Sequence, residues 1–374
     1  MLGNQNIGVY PYQATIATGL NYTFGGQTVD GIAPQNGVNS NIKWESTTTK
    51  DIGLDAVLME GKVTFTGDYF IRNTSDILLS LPVGNAFGLN APVINAGSVQ
   101  NKGVELMVGY HFRKRDFSFD VNANVSFIKN EITSLAGTGP FPNGSTIQGV
   151  GLPINSLYGW VSEGLFQSQA DIDKHAAQNG MGGPVGPGDI KYKDLNGDNV
   201  IDGKDRQYLG SYFPELTYGL NISARYKAFD AVLFLQGVGD VKSFVSGRIL
   251  GSLYDKDGDP TSIWLDRWTP TNPGAKFPRV WNSNSQNDPG ATPSSFWVRS
   301  ASYVRLKNVQ IGYTLTASRL LSRAGIKLRI FWTGKDILTF TKFYKWVDPE
   351  APLGGNSSTY PMVMVNSIGV NLTF

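Results

Sequence analysis

The chain has 374 residues, of which 17% are charged, with a formal net charge of +2 and no cysteine. Such a balance excludes a nucleic-acid partner held by a basic surface, and the missing cysteines exclude disulfide frameworks and thiolate metal sites. Aromatics reach 12% and glycines number 44, which suits neither a disordered tail nor a typical cytosolic enzyme. No apolar run approaches the roughly 18 residues a transmembrane helix needs. The opening MLGNQNIGVYPYQA lacks the basic and apolar regions of a signal peptide.

Alternation at period two dominates the chain. Ile52, Leu54, Ala56 and Leu58 oppose Asp51 and Asp55, which predicts a strand over 52–58. In 62–72, Val63, Phe65, Tyr69 and Ile71 lie opposite Thr64, Thr66, Asp68 and Arg72. In 103–113, Val104, Leu106, Val108, Tyr110 and Phe112 oppose Glu105, His111 and Arg113. The stretch 117–127, FSFDVNANVSF, alternates without a break. SQADIDKHAAQ (168–178) is the best short helix candidate. Alternation returns in 218–226, 309–315, 326–332 and 368–374, and 229–238 reads as a strand apolar on both faces.

The connections alternate too. MEGK (59–62), RKRD (113–116) and KAFD (227–230) are tight, whereas 82–96, 136–216, 245–295 and 341–358 are long. Short turns on one side and long loops on the other are the pattern of outer-membrane barrels, provided 136–216 is a single insertion. The last strand, NSIGVNLTF, places Ile368, Val370, Leu372 and the terminal Phe374 on one face.

These features predict an all-β, antiparallel transmembrane β-barrel segment with long extracellular loops. Its apolar faces meet lipid, and Asp120, Asn122, Asn124 and Arg225 line a wet lumen. A one-residue register error would turn each of these to the lipid. A soluble secreted β-sandwich, acting as a carbohydrate-binding module, produces similar alternation and stands as the alternative.

Two further motifs carry chemistry. In DLNGDNVIDGKD, Asp194, Asn196 and Asp198 take positions 1, 3 and 5 of a calcium loop. The Val200 carbonyl takes position 7, Asp202 position 9 and Asp205 position 12. Asn199 stands where Gly is usual, and Asp205 where Glu is usual, closer to a dockerin-type loop. A structural Ca2+ is the cofactor this spacing suggests; an exposed Asx-rich turn is the plainer alternative. Trp264, Trp268, Trp281 and Trp297 cluster around the 245–295 loop. The first three are candidate sugar-stacking platforms, with a loop core, an interfacial girdle or a partner-docking face as alternatives. Two isolated histidines, His111 and His175, give no triad or zinc site, and no nucleophile elbow is present. A surface hydrolase displayed on a barrel therefore lacks a coherent catalytic group.

Several stretches resemble the SusC/RagA-type TonB-dependent transporters, in that family's order. They are NIKWESTTTKDIGLDAVLMEGKVTFTGDYFIRNTSDILL (41–79), GSVQNKGVEL (97–106), GDIKYKDLNGDNVIDGKDRQYLG (188–210) and FPELTYGLNISARYKAFD (213–230). RWTPTNPGAKFPR (267–279), SSFWVRSASYVRLKNVQIGYTL (294–315) and the closing VNLTF complete the set. The resemblance implies the C-terminal portion of a TonB-dependent receptor barrel of about 22 strands. Spanning strands would run from about 44 to 374, with extracellular insertions at about 136–216 and 245–295. The N-terminal plug, the first barrel strands and the segment that engages TonB are absent, so Met1 is not expected to be the natural start. By the same resemblance the full protein is no enzyme. It sits in the bacterial outer membrane with a periplasmic C-terminus and imports oligosaccharides or peptides. A SusD-type surface lipoprotein lids it, and the TonB complex powers it.

Overall fold

A computed structural model describes residues 12–80, 83–245, 262–281, 285–315, 326–345, 347–351 and 362–374. Nine long strands form its framework. They are β1 (Ser46–Leu58), β2 (Val63–Ser80), β3 (Val93–Lys114), β4 (Phe117–Leu135) and β5 (Leu216–Tyr226). β6 (Phe229–Gly239), β7 (Tyr303–Leu315), β8 (Lys327–Thr341) and β9 (Val365–Thr373) follow. All nine fall where alternation predicts strands, most of them longer than the pattern suggests. They pair in strict chain order as one antiparallel meander, β1 at one edge and β9 at the other.

Register keeps the two faces separate across the sheet. Residues paired directly across an antiparallel ladder point to the same side. Phe119, Val121, Ala123 and Val125 of β4 face Ala224, Ile222, Leu220 and Tyr218 of β5. On the other side Asp120, Asn122 and Ser126 face Ser223, Asn221 and Thr217. The same division passes through Phe65↔Val108 and Leu106↔Val125 toward β1, and through Leu233↔Val309 and Ile330↔Val370 toward β9. Residues 229–238 carry apolar side chains on both faces, as their sequence reads: Val232 and Phe234 share the polar face with Asp230 and Gln236, which lie opposite Gly312 and Arg305.

The tight turns follow from left-handed backbone. Arg115 and Lys227 (φ 52° and 53°) open two-residue turns between Lys114↔Phe117 and Tyr226↔Phe229, where positive φ matches the strand twist. Residues 316–325 between β7 and β8, and parts of the long connections at 246–261, 282–284 and 352–361, lie outside the described residues.

The apolar face is open. Ile52 is 78% exposed and Ile368 80%, with Tyr69, Phe127, Tyr226, Phe229, Ile311 and Val370 also exposed between them. A soluble domain rarely exposes a contiguous apolar patch beyond a few hundred Å2, and in a sandwich this face would pack on a second sheet. No described strand covers it, which removes the sandwich alternative. From Phe117 to Phe127 the strand rises about 33 Å. Tilted at roughly 40°, that stretch stands about 25 Å tall, the height of a barrel's lipid band.

The buried core sits among the long connections instead. Leu157, Ile190, Tyr192, Ile201 and Leu209 from 136–215 pack with Val241, Trp264, Trp281, Trp297 and Ala301 from 240–302, and with Phe343 and Val347 from 342–351. Three loops thus share one interior, a folded cap. Short ladders stiffen it, including Ser156–Trp160 with Arg206–Gly210 and Ser162–Leu165 with Ile190–Tyr192. The predicted helix over 168–178 shrinks to Gln169–Asp173, N-capped by Ser168. The sequence pattern gave no sign of the exposed hairpins Ile16–Thr18 with Ile32–Pro34 and Tyr22–Phe24 with Gln27–Val29.

Candidate functional site

The polar sheet face and the cap are built from complementary parts. On the sheet, Asp120, Asn122, Asn124 and Arg225 all take the polar side, as alternation predicts. Asp120 Oδ1 lies 2.7 Å from His111 Nδ1 on the next strand. Ser126 donates to Glu105 (3.1 Å), and Asn130 to Asn101 (2.8 Å). Asn124 folds over Gly219, where a Cβ would come within 2.6 Å of its Oδ1, so glycine leaves room for this side-chain pose. Arg329 donates from Nε to Asp230 (2.8 Å). A sheet face of linked amides, carboxylates and guanidinium groups presents donors and acceptors to a polar ligand or to water.

Where sheet meets cap, the guanidinium of Arg305 is fully buried. It reaches Asp348 at 2.8 Å, Glu350 at 3.1 Å and Thr339 at 3.0 Å, and Tyr303 bonds the same Glu350. A buried cation survives only when paired and hydrogen-bonded, so this cluster fixes the connection after β8 to the top of β7.

Inside the cap the hub is Asp189, whose side chain is fully buried. Its carboxylate accepts from Arg279 Nε (2.5 Å) and Nη2 (2.9 Å), Gln286 (2.6 Å), Asn287 (2.7 Å) and the Gly186 N–H (2.8 Å). These hydrogen bonds to Asp189 hold the Arg279 guanidinium above its ordinary pKa. Asn287 in turn accepts from the Ile190 N–H (2.9 Å), and the Tyr192 hydroxyl donates to the Gln286 carbonyl (2.7 Å). Burial pushes that phenol above its usual range. Two insertions about a hundred residues apart are therefore joined by one satisfied polar network.

The tryptophans belong to this interior, which corrects the stacking-platform expectation. Trp264, Trp268 and Trp281 are buried, as is Trp297. The rings of Trp264 and Trp281 meet edge-on at 5.2 Å, and Phe277 lies 5.6 Å from Trp264. Trp268 donates its Nε1–H to Gln167 (3.1 Å) and packs over Gly188. A sugar platform needs an open ring face, and these faces are filled by the cap's own side chains.

The Asp-rich loop lies on the cap surface. Asp194 accepts from the N–H groups of Gly197 (2.7 Å) and Asn199 (2.8 Å). Slight desolvation pushes its carboxyl upward, but those N–H groups outweigh it and hold the pKa below the ordinary value. Asn196 and Asp198 accept from the N–H groups of Asp198 and Val200 (3.0 Å each). Asp202 caps the turn Gly203–Asp205, and the fully buried Asp205 accepts from Leu195 and Asp202 (2.8 Å each). Asn199 takes φ 62°, the left-handed backbone that Asn tolerates. Among the described residues no three His, Asp or Glu side chains converge as a metal site. Asn196 and Asp198 are exposed oxygen donors of the kind calcium takes, whereas Asp205 is buried with both oxygens occupied, Oδ1 by the Leu195 and Asn196 N–H groups and Oδ2 by that of Asp202. His175 lies 3.8 Å from Glu163 and edge-on to Phe166.

One meander, apolar outside and polar inside, with tight turns at one end and a folded loop cap at the other, is a stretch of transmembrane β-barrel. The family model "TonB dependent receptor-like, beta-barrel" matches residues 11–331, and the chain belongs to that family of outer-membrane barrels. TonB-dependent receptor P3 of Formosa agariphila is 30% identical over 400 residues, covering 100% of this chain and 38% of that protein. TonB-dependent receptor SusC of Bacteroides thetaiotaomicron is 27% identical over 395 residues, covering 100% of this chain and 36% of that protein. The RagAB peptide importer in its open-open state superposes with TM-score 0.76 at 24% identity, over 98% of this chain and 38% of that one. This last likeness is one of fold. The chain spans under two fifths of each of these proteins.

Sequence reasoning placed the polar face and the surface loop, and it missed Asp189 and Arg305. Arg305 has a signal, since a cation at an inward position beside Tyr303 calls for acidic partners. Asp189 has none, because its partners come from a segment a hundred residues away.

Proposed function

We propose that this chain is the C-terminal barrel portion of an outer-membrane importer that takes up oligosaccharides or peptides with TonB-supplied energy. The observation that carries this reading is the polar sheet face beneath one folded cap, in a chain of the TonB-dependent receptor family. Asp120, Asn122, Asn124 and Arg225 line the passage. The cap, formed largely from 136–216 and 245–295, meets a SusD-type surface lipoprotein and the incoming substrate. The tight turns and the C-terminus then face the periplasm, while the plug and the remaining strands come from the rest of the receptor. The test is uptake by cells carrying the full receptor or its deletion, using labelled oligosaccharides and labelled peptides in parallel. Loss of one uptake on deletion identifies the cargo; unchanged uptake of both, with TonB present, contradicts the reading.

Calcium is proposed for the Asp-rich loop, held by Asp194, Asn196, Asp198, Asp202, Asp205 and the Val200 carbonyl. Its support is the ligand spacing and the left-handed Asn199 at the loop's bend. Titration with calcium should slow hydrogen exchange across 194–205, and Asp198→Ala should abolish that protection. Identical exchange with millimolar calcium and with chelator would refute it.

A further inference from the structure

The outer face of the sheet changes character at the cap end of its apolar band. The row Ile52, Tyr69, Val104 and Phe127 runs across β1–β4 in continuous register. The next row toward the cap is Lys50, Ile71, Lys102 and Lys129. By register these lysines belong to the face that meets lipid, not to the lumen. They stand one step beyond a band about 25 Å tall, at the level of lipid headgroups.

Lys102 and Lys129 are direct cross-strand partners. Side chains so paired start about 5 Å apart, and like charges there are destabilising. Among the described residues neither Lys50 nor Lys102 has an acidic partner, and Lys129 meets only Glu131 at 3.6 Å, with more than half of the lysine side chain exposed. Three cations and one carboxylate on adjoining rows leave the patch net positive. Glu131 offsets only part of the repulsion, as an exposed pair at 3.6 Å, and an anion between the ammonium groups would turn the rest into attraction.

We propose that Lys50, Lys102 and Lys129 form a binding site for the phosphate of an anionic lipid in the leaflet on the cap side. The acyl chains would lie on Ile52, Tyr69, Val104 and Phe127, of which Ile52, Tyr69 and Phe127 are exposed. The phosphate would be shared by three flexible ammonium groups, which bind it as point charges. Phosphoglycolipid and glycerophospholipid carry the same recognised group, and the apolar row just below distinguishes both from free phosphate. This site requires the barrel but not import, so it stands or falls separately from the transport reading.

The test uses the full receptor purified from membranes. Native mass spectrometry follows titration with phosphatidylglycerol, with a phosphorylated lipid A-type glycolipid and with phosphatidylcholine, for the wild type and for the K102Q/K129Q and K50Q/K102Q/K129Q variants. Each lysine removed should weaken anionic lipid by roughly fivefold, and the pair by about 25-fold, with phosphatidylcholine unchanged. The stronger of the two anionic lipids names the source. In detergent free of anionic lipid, Lys129→Gln should melt no lower than wild type, because it removes a repulsion; this separates lost binding from lost folding. Unchanged anionic-lipid binding in the pair variant overturns the proposal. So does full displacement by millimolar inorganic phosphate, which would mean an adventitious ion only, or equal binding of phosphatidylcholine.

Discussion

The nine-strand sheet and the loop cap are solved for opposite solvents. In the sheet, large apolar side chains such as Ile52, Tyr226 and Val370 are exposed on one face, and Asn122, Asp120 and Arg225 lie on the other. In the cap, Trp297, Tyr192 and Ile190 are interior, as in a water-soluble domain. Between its two edges the sheet's backbone is satisfied strand to strand, so it needs no apolar core; lipid takes that role. The cap has only short ladders, and a shared apolar interior and a buried polar hub hold its three loops. One chain therefore carries two hydrophobic patterns, and which one applies depends on where water is.

Changes at single sites should separate the two regimes. Asp189→Ala leaves Arg279, Gln286 and Asn287 with donors facing an emptied interior. Arg279 is partly exposed and can turn to water, so the cost to the cap should be about 2 kcal/mol, that of stranded buried amide donors, while leaving the sheet intact. Hydrogen exchange should then rise across 186–192 and 285–288, with none gained in β4 or β5. Leu220→Arg, on the apolar face between Ala123 and Leu235, should destabilise the folded barrel by about 3 kcal/mol, as a cation near the bilayer midplane does. Its neighbour Asn221→Arg, on the polar face between Asn122 and Phe234, should cost under about 1 kcal/mol. Reversible unfolding in lipid vesicles measures both, and equal costs would break the comparison. Asp202→Ala removes the cap of Gly203–Asp205 and should cost about 1 kcal/mol, confined to the Asp-rich loop.

The smallest effect is one of pH. Asp194 has its folded pKa depressed, so the stability it contributes is present above the ordinary carboxylate value. It is lost as pH falls through the depressed value, below about pH 4. Amide exchange at Gly197 and Asn199, corrected for intrinsic rate, should rise in that window, and Asp194→Asn should remove the dependence.

Much of the sheet was legible in the sequence because lipid and lumen impose a two-residue period on every strand. FSFDVNANVSF shows it without a break, and even 229–238, apolar on both faces, is settled by Asp230 and Gln236 once its neighbours are paired. The cap was legible only in outline. Its tryptophans announced themselves by composition, yet composition cannot say whether a ring faces water or its own loop. Packing against Phe277 and Gly188 decided that. Asp189 looked like any loop carboxylate until residues 286 and 287 came round to it. Contacts that local periodicity does not constrain must be found in three dimensions.

In a barrel wall of this register, odd positions of 117–127 meet lipid and even positions meet water. The chain contains no cysteine, so a single-cysteine series from Phe117 to Phe127 can carry a nitroxide at one position at a time. Power-saturation electron paramagnetic resonance in vesicles then reads collision with oxygen, which favours lipid, against a polar nickel chelate, which favours water. A strict two-residue alternation is expected, with oxygen dominant at 119, 121, 123 and 125 and nickel dominant at 120, 122 and 124. Uniform nickel access at both sets, or alternation of the opposite phase, would contradict it.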